Sequence, residues 1–204
     1  MNRRRSSRRL AALAVCVLPA AGAAFLLAGL YIPAKAALAQ ILLERAWVRT
    51  QAGDANAKPW PWADIVPIAK IEIPRLNQQA IVLEGASGEA MAFGPGHMSN
   101  RAAIGRMGTA IVAAHRDTQF KFLKDIVADD RIVAVTSDGR RIAYRVTAMR
   151  VVRADASGLD PAESGPDGSR LALVTCYPFT GMFHSPWRYV VIADRDAGDS
   201  IAAR

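Results

Sequence analysis

The chain has 204 residues, enough for one compact domain with an appendage and too few for two large domains at roughly 100–200 residues each. Hydrophobic residues make up 51% and charged residues 22%, with 11 Pro and 15 Gly, which excludes the disordered and fibrous classes. The formal charge of +8 is concentrated at one end: without Arg3, Arg4, Arg5, Arg8 and Arg9 there remain 21 Lys+Arg against 18 Asp+Glu, and no aromatic-basic ribonucleoprotein pattern supports nucleic-acid binding.

Leu10 to Ala34 carries no charge. About 22 such residues at a rise of 1.5 Å reach roughly 33 Å, the thickness of a bilayer's hydrocarbon core. The run exceeds a signal-peptide core, and the arginines ahead of it favour a cytoplasmic N-terminus. Residues 1–34 are therefore expected to be a basic tail and a single transmembrane helix, with everything beyond outside the cytoplasm. The rival is a cleaved signal peptide ending at Ala37-Leu38-Ala39.

Residues 35–62 are predicted to be a juxtamembrane helix and linker. The stretch 35–48 lacks helix breakers and carries Leu38, Ile41, Leu42 and Trp47, whereas 50–62 is rich in small and turn-forming residues. From 63 to 204 the texture is that of an all-β sandwich or barrel, with short strand-like runs between turn signals. Strands are predicted near Ile65–Ile73, Ala80–Leu83, Thr109–Ala114, Arg131–Thr136, Arg141–Val152, Leu171–Thr175 and Arg188–Ala193, seven or eight in all. Asp138-Gly139, between alternating apolar runs, marks a hairpin turn. Gly88–Phe93 and Gln119–Ile126 are predicted short helices, and 153–170 a long polar loop.

An exported chain could hold disulfides, but Cys16 lies within the apolar run and Cys176 is left alone, either as core filler or as a reactive thiol. The three histidines, His97, His115 and His184, lack metal-ligand spacing, so no metal site is expected. The acidic residues of the long loop lack the order of a calcium loop. His115 closes the strand TAIVAAH and Cys176 closes LALVTC, while Arg188 opens RYVVIA. If those strands are neighbours, thiol and imidazole face one cleft, as nucleophilic thiol catalysis requires, and a permanently charged guanidinium stands by to hold an oxyanion or the substrate backbone.

These residues carry a family resemblance. LALVTC resembles the T-L-x-T-C strand of sortases, AAHRDTQF their G-H-R-D segment, and Arg188 in SPWRYVV their arginine at the start of the final strand. The order and spacing are similar too. ERAW, WPWAD, AFGPGH and TCYPF are similar to the sortases of Gram-negative bacteria. Ala172 and Ala114 depart from the Thr and Gly usual in the family, without removing a catalytic atom.

The resemblance implies an eight-stranded sortase-type β-barrel with short helices, preceded by a transmembrane helix, and a cysteine transpeptidase without cofactor. Cys176 would attack an LPxTG-like C-terminal sorting signal of an exported protein, forming a thioacyl enzyme that an amine acceptor resolves. His115 would shuttle protons and Arg188 would stabilise the oxyanion. Thr175, His97 and His184 are the candidates for touching substrate. His97 in its Gly/Pro loop has a structural alternative, as does Asp117, which either orients His115 or makes a turn. Two other functions stay open on the residues alone: a cysteine peptidase or hydrolase releasing the acyl group to water, and a membrane-anchored binding barrel with Cys176 as filler. The expected location is the inner membrane, with the catalytic domain on its periplasmic side.

Overall fold

The computed structural model describes residues 25, 29–31, 33–99, 101–181, 185–196 and 198. The predicted span from 10 to 34 thus lies mostly outside the described residues; among those described, no helix is long and apolar enough to cross a membrane. A helix, α1, runs over 33–51, and the chain divides within it into two compact units, Met1–Ile41 and Leu42–Arg204.

The second unit is a closed barrel of eight strands: β1 (Pro67–Ile73), β2 (Gln78–Glu84), β3 (Gly96–His97), β4 (Gly108–Ala113), β5 (Arg131–Thr136), β6 (Arg141–Arg153), β7 (Ser169–Cys176) and β8 (Trp187–Arg195). Around the barrel their order is β1-β2-β3-β4-β7-β8-β6-β5. The β2–β3 and β4–β7 pairs are parallel, and the rest are antiparallel.

Alternation along the strands sorts two apolar layers. Ile71 and Ile73 of β1, Ala110 and Val112 of β4, Ile142, Tyr144 and Val146 of β6, Leu171 and Leu173 of β7, and Val191 and Ala193 of β8 fill the interior. The intervening Ile111, Ala172, Val190 and Ile192 form a second layer on the outer face of β4, β7 and β8, against which Met98, Val152, Leu159 and Val174 pack. With both faces covered, LALV reads as an unbroken apolar run. Tyr144, fully buried, satisfies its hydroxyl with the Gly105 N–H (2.9 Å) and the Ser169 hydroxyl (3.0 Å), and burial holds its pKa above the ordinary phenol value.

Several sequence expectations change in detail. Residues 42–62, read as part of a connecting segment, belong to the barrel's unit: Leu43 and Trp47 of α1 are buried with Ile65, Ile81, Leu83 and Val135. Gln51 closes this end, donating to the carbonyls of Thr136 (2.8 Å) and Ser137 (3.1 Å). The second short helix is a 3-10 turn, Lys121–Asp125, in keeping with Phe120, Leu123 and Ile126, which recur every third residue and are all buried. The first is α2, Gly88–Phe93, capped by Ser87, whose hydroxyl accepts from the Ala90 N–H (3.2 Å).

The strand missing from the sequence reading is β3. Two residues amid Gly and Pro carry no periodic pattern, and β3 forms because its neighbours approach closely: a Cβ on Gly96 would stand 2.4 Å from the Gly85 carbonyl oxygen. The 153–170 segment, read as solvated, docks in part. Leu159 joins the outer layer, the Pro161 carbonyl accepts from the Thr109 N–H (3.0 Å), and the Thr109 hydroxyl donates to the Glu163 carbonyl.

Candidate active site

The site is built at one rim, where β4 and β7 end and β8 begins. Cys176 and Arg188 are register partners across β7 and β8. On the other side of β7, the parallel pairing with β4 runs to Ala113↔Val174, and the Ala114 N–H continues it to the Val174 carbonyl (3.1 Å). His115 follows at once. Adjacent strands lie about 4.8 Å apart, so His115, Cys176 and Arg188 come from three consecutive strands, with the thiol in the middle.

Strand parity decides which way they face. Ile111 of β4, Ala172 of β7, and Val190 and Ile192 of β8 share the outer layer. Stepping by two along each strand carries this face to His115, Cys176 and Arg188. The outer layer, covered by Met98, Val152, Leu159 and Val174, leads to the thiol at the rim. Cys176 and Arg188 are half-buried, and His115 is exposed. The thiol, partly exposed, stands where this covered layer meets the rim.

Arg188 is oriented by backbone: its Nη1 donates to the carbonyls of Ser185 (2.7 Å) and Trp187 (2.9 Å). Among the described residues no carboxylate forms an ion pair with it. Beyond the thiol, Tyr177, Phe179 and Tyr189 form an aromatic triangle with centroids 5.2 to 6.3 Å apart. Burial raises the Tyr189 pKa, with Tyr177 adding to the shift.

The remaining predicted residues lie elsewhere. Thr175 is buried and turned inward, its hydroxyl donating to the Ala114 carbonyl (2.7 Å). His97 pairs with Val112, an interior position, and its Nε2 donates to the Ala102 carbonyl (2.9 Å). It lines a cavity of about 390 Å³ with Arg101, Thr136, Asp138 and Arg140, at the barrel end where β4 begins, away from Cys176. Parity and position both separate it from the thiol. His184 falls outside the described residues. Asp117 is exposed, and among the described residues no hydrogen bond joins it to His115. Arg116, part of the AAHRDTQF segment but without an assigned role in the sequence, reaches the carbonyls of Pro178 (2.9 Å) and Gly181 with its guanidinium. Its position next to His115 was visible, but not the reach across to the β7–β8 loop.

A closed eight-stranded barrel with cysteine, histidine and arginine on one outer rim defines a class of candidate thiol enzymes. Comparison with known proteins makes the class specific. The sortase domain matches residues 71–196, and the chain belongs to the sortase family. It is similar to sortase D of Bacillus subtilis (strain 168), 26% identical over 125 residues, or 61% of this chain and 62% of that protein. The chain thus spans under two thirds of the length of this relative. Among solved structures it is similar to sortase E from Streptomyces avermitilis (32% identity, TM-score 0.54, covering 64% of this chain and 88% of that one). It also resembles the fold of sortase A from Corynebacterium diphtheriae (22% identity, TM-score 0.56, 80% and 87% covered).

Proposed function

We propose that the protein is a cysteine transpeptidase that cleaves an LPxTG-like C-terminal sorting signal of an exported protein and transfers the acyl group to an amine. The observation that carries this reading is the register: Cys176 is paired with Arg188 on one side and has His115 at the end of the parallel strand on the other. The Cys176 sulfur attacks the threonyl carbonyl of the signal. The bond to the following residue breaks, and His115 delivers a proton to the departing amine. The incoming amine then gives up a proton to His115 as it attacks the thioester, forming the new amide and releasing the sulfur. Arg188 supplies positive charge where the carbonyl oxygen becomes negative in both steps.

The charge-free run from 10 to 34 behind five arginines supports a single-pass anchor in the inner membrane, with the catalytic domain in the periplasm. Holding enzyme and membrane-retained substrate on one surface raises their effective concentration. ERAW, WPWAD, AFGPGH and TCYPF support placement with the sortases of Gram-negative bacteria.

Intact-mass spectrometry of the full-length protein in detergent, with LPxTG-type peptides and with or without hydroxylamine, tests the reading. An acyl adduct that Cys176→Ala abolishes, and a peptide hydroxamate when hydroxylamine is present, are expected. Cleavage giving only the free acid in the presence of the amine would replace transpeptidase with hydrolase. Neither adduct nor cleavage across a varied peptide set, with His115→Ala silent in cells, would replace it with a binding barrel.

A further inference from the structure

The segment bearing His115 is fastened to the segment bearing Cys176 on both sides of each residue. Before them, Ala114 is held twice: its N–H bonds the Val174 carbonyl (3.1 Å), and its carbonyl accepts the Thr175 hydroxyl (2.7 Å). After them, Arg116 extends its guanidinium over the turn that follows the thiol, donating through Nη1 to the Pro178 carbonyl (2.9 Å) and through Nη2 to the Gly181 carbonyl. Pro178 and Gly181 also close that turn between themselves, the Gly181 N–H bonding the Pro178 carbonyl at 3.2 Å. The chain around His115 and the chain around Cys176 are thus parallel threads joined by cross-links one residue before and one or more residues after the reactive side chains.

We infer that Arg116 is a positioning residue of this site: its guanidinium locks the turn after Cys176 to the segment carrying His115 and so fixes the imidazole relative to the thiol. The inference rests on the assignment of Cys176 and His115 as the reacting pair. Arg116 differs in kind from Arg188, because its donors are directed to main-chain carbonyls of a loop and its part is played through that loop. The planar fork matters, since two diverging donors span two carbonyls where a single ammonium reaches one. Gly181 matches the fork from the other side. A Cβ there would stand 3.2 Å from Arg116 Nη1 and 3.3 Å from Pro178 Cγ, so a larger residue displaces the guanidinium or the proline.

The test uses full-length protein in detergent, an LPxTG-type peptide with an added amine, and the variants Arg116→Gln, Arg116→Lys and Gly181→Ala. A loosened near-attack geometry costs rate more than binding, so Arg116→Gln is expected to lower kcat by about 10- to 100-fold with KM within about threefold. Arg116→Lys falls between it and the parent. Hydrogen exchange of amides 177–181 should speed up in Arg116→Gln while 171–175 stays protected. Gly181→Ala should lower kcat less, and combining it with Arg116→Gln should add nothing further, because both act on one contact. Unchanged kcat, or unchanged exchange at 177–181, overturns the proposal. So does exchange that rises through β7 and β8 together, which would make Arg116 a residue of general stability. If the parent protein itself forms no acyl adduct while exchange at 177–181 still responds to Arg116→Gln, the lock stands and the catalytic assignment beneath it has failed; if the adduct forms and exchange does not respond, only the lock has failed.

Discussion

Thr175 donates its hydroxyl to the carbonyl of Ala114 across 2.7 Å, joining the residue before the thiol to the residue before the imidazole. The bond is buried, so replacing the hydroxyl by a methyl leaves a carbonyl with one partner fewer and no water to substitute. Thr175→Val, which keeps the shape, should cost about 1–2 kcal/mol in urea unfolding and also slow acyl transfer, and Thr175→Ser should restore both. A variant as active and as stable as the parent would show that the bond holds nothing in place.

The three rim residues are expected to separate by chemistry and not by folding. Cys176→Ala should form no acyl adduct. His115→Ala should lose about 10²- to 10⁴-fold in acyl transfer, the range for a general acid-base group. Arg188→Lys should lose about 10²-fold or more, as when an oxyanion donor is misplaced. Thermal melts of all three should stay within a few degrees of the parent, since none of these side chains lies in the interior of the barrel.

Trp47 is part of the domain's foundation. It is 6% exposed and packs with Leu43, Ile65, Ile81, Leu83 and Val135. Trp47→Ala should cost about 3–5 kcal/mol, the range for deleting a buried aromatic side chain, measured as a shift in the urea midpoint. Trp62, 82% exposed, provides the contrast, and Trp62→Ala should leave the midpoint almost unmoved.

Gly96→Ala tests the short third strand. The added methyl would meet the Gly85 carbonyl oxygen at 2.4 Å and the Ala86 Cα at 2.8 Å, both main-chain atoms that cannot rotate away. Loss of several degrees in Tm is expected, with faster amide exchange at Leu83, whose N–H bonds the Pro95 carbonyl beside this strand (2.8 Å).

Acid stability should depend on Asp130. Its buried carboxylate accepts from the Arg75 guanidinium (2.5 and 2.7 Å) and from the Val127 N–H (2.9 Å), and the Arg75 hydrogen bond leads in holding its pKa below the ordinary value of 3.8. A group lowered by folding stabilises the native state above its unfolded pKa and loses that contribution as pH falls through its folded pKa. The parent should therefore lose this contribution only below about pH 4, whereas Asp130→Asn should be less stable than the parent at neutral pH and show a shallower decline in Tm under acid.

Much of the fold could be read from sequence because local rules suffice for it. The predicted strand at Arg131–Thr136 matches β5, and the helix at Gly88–Phe93 matches α2, since short elements of this kind depend on the order of consecutive residues. The Asp138-Gly139 turn is another case, with Gly139 at φ 78°, a conformation open to glycine at little cost. Gly96–His97 escaped because a two-residue strand has no period, and it exists only through what lies beside it.

Residue types along the chain set the chemistry available at the rim: a lone thiol, an imidazole and a guanidinium, each at one end of an apolar strand. Which of the other polar residues share their face depends on how the strands pack together. Strand parity turns Thr175 inward although it adjoins the thiol, and pairing with Val112 puts His97 at an interior position, off the outer face that carries the thiol. Arg116, visible only as the neighbour of His115, crosses to a loop more than sixty positions away. The physical reason is that spacing along a chain fixes only which side of its own strand a residue takes, whereas the neighbours on that side are set by register and barrel closure, which join residues far apart in the chain.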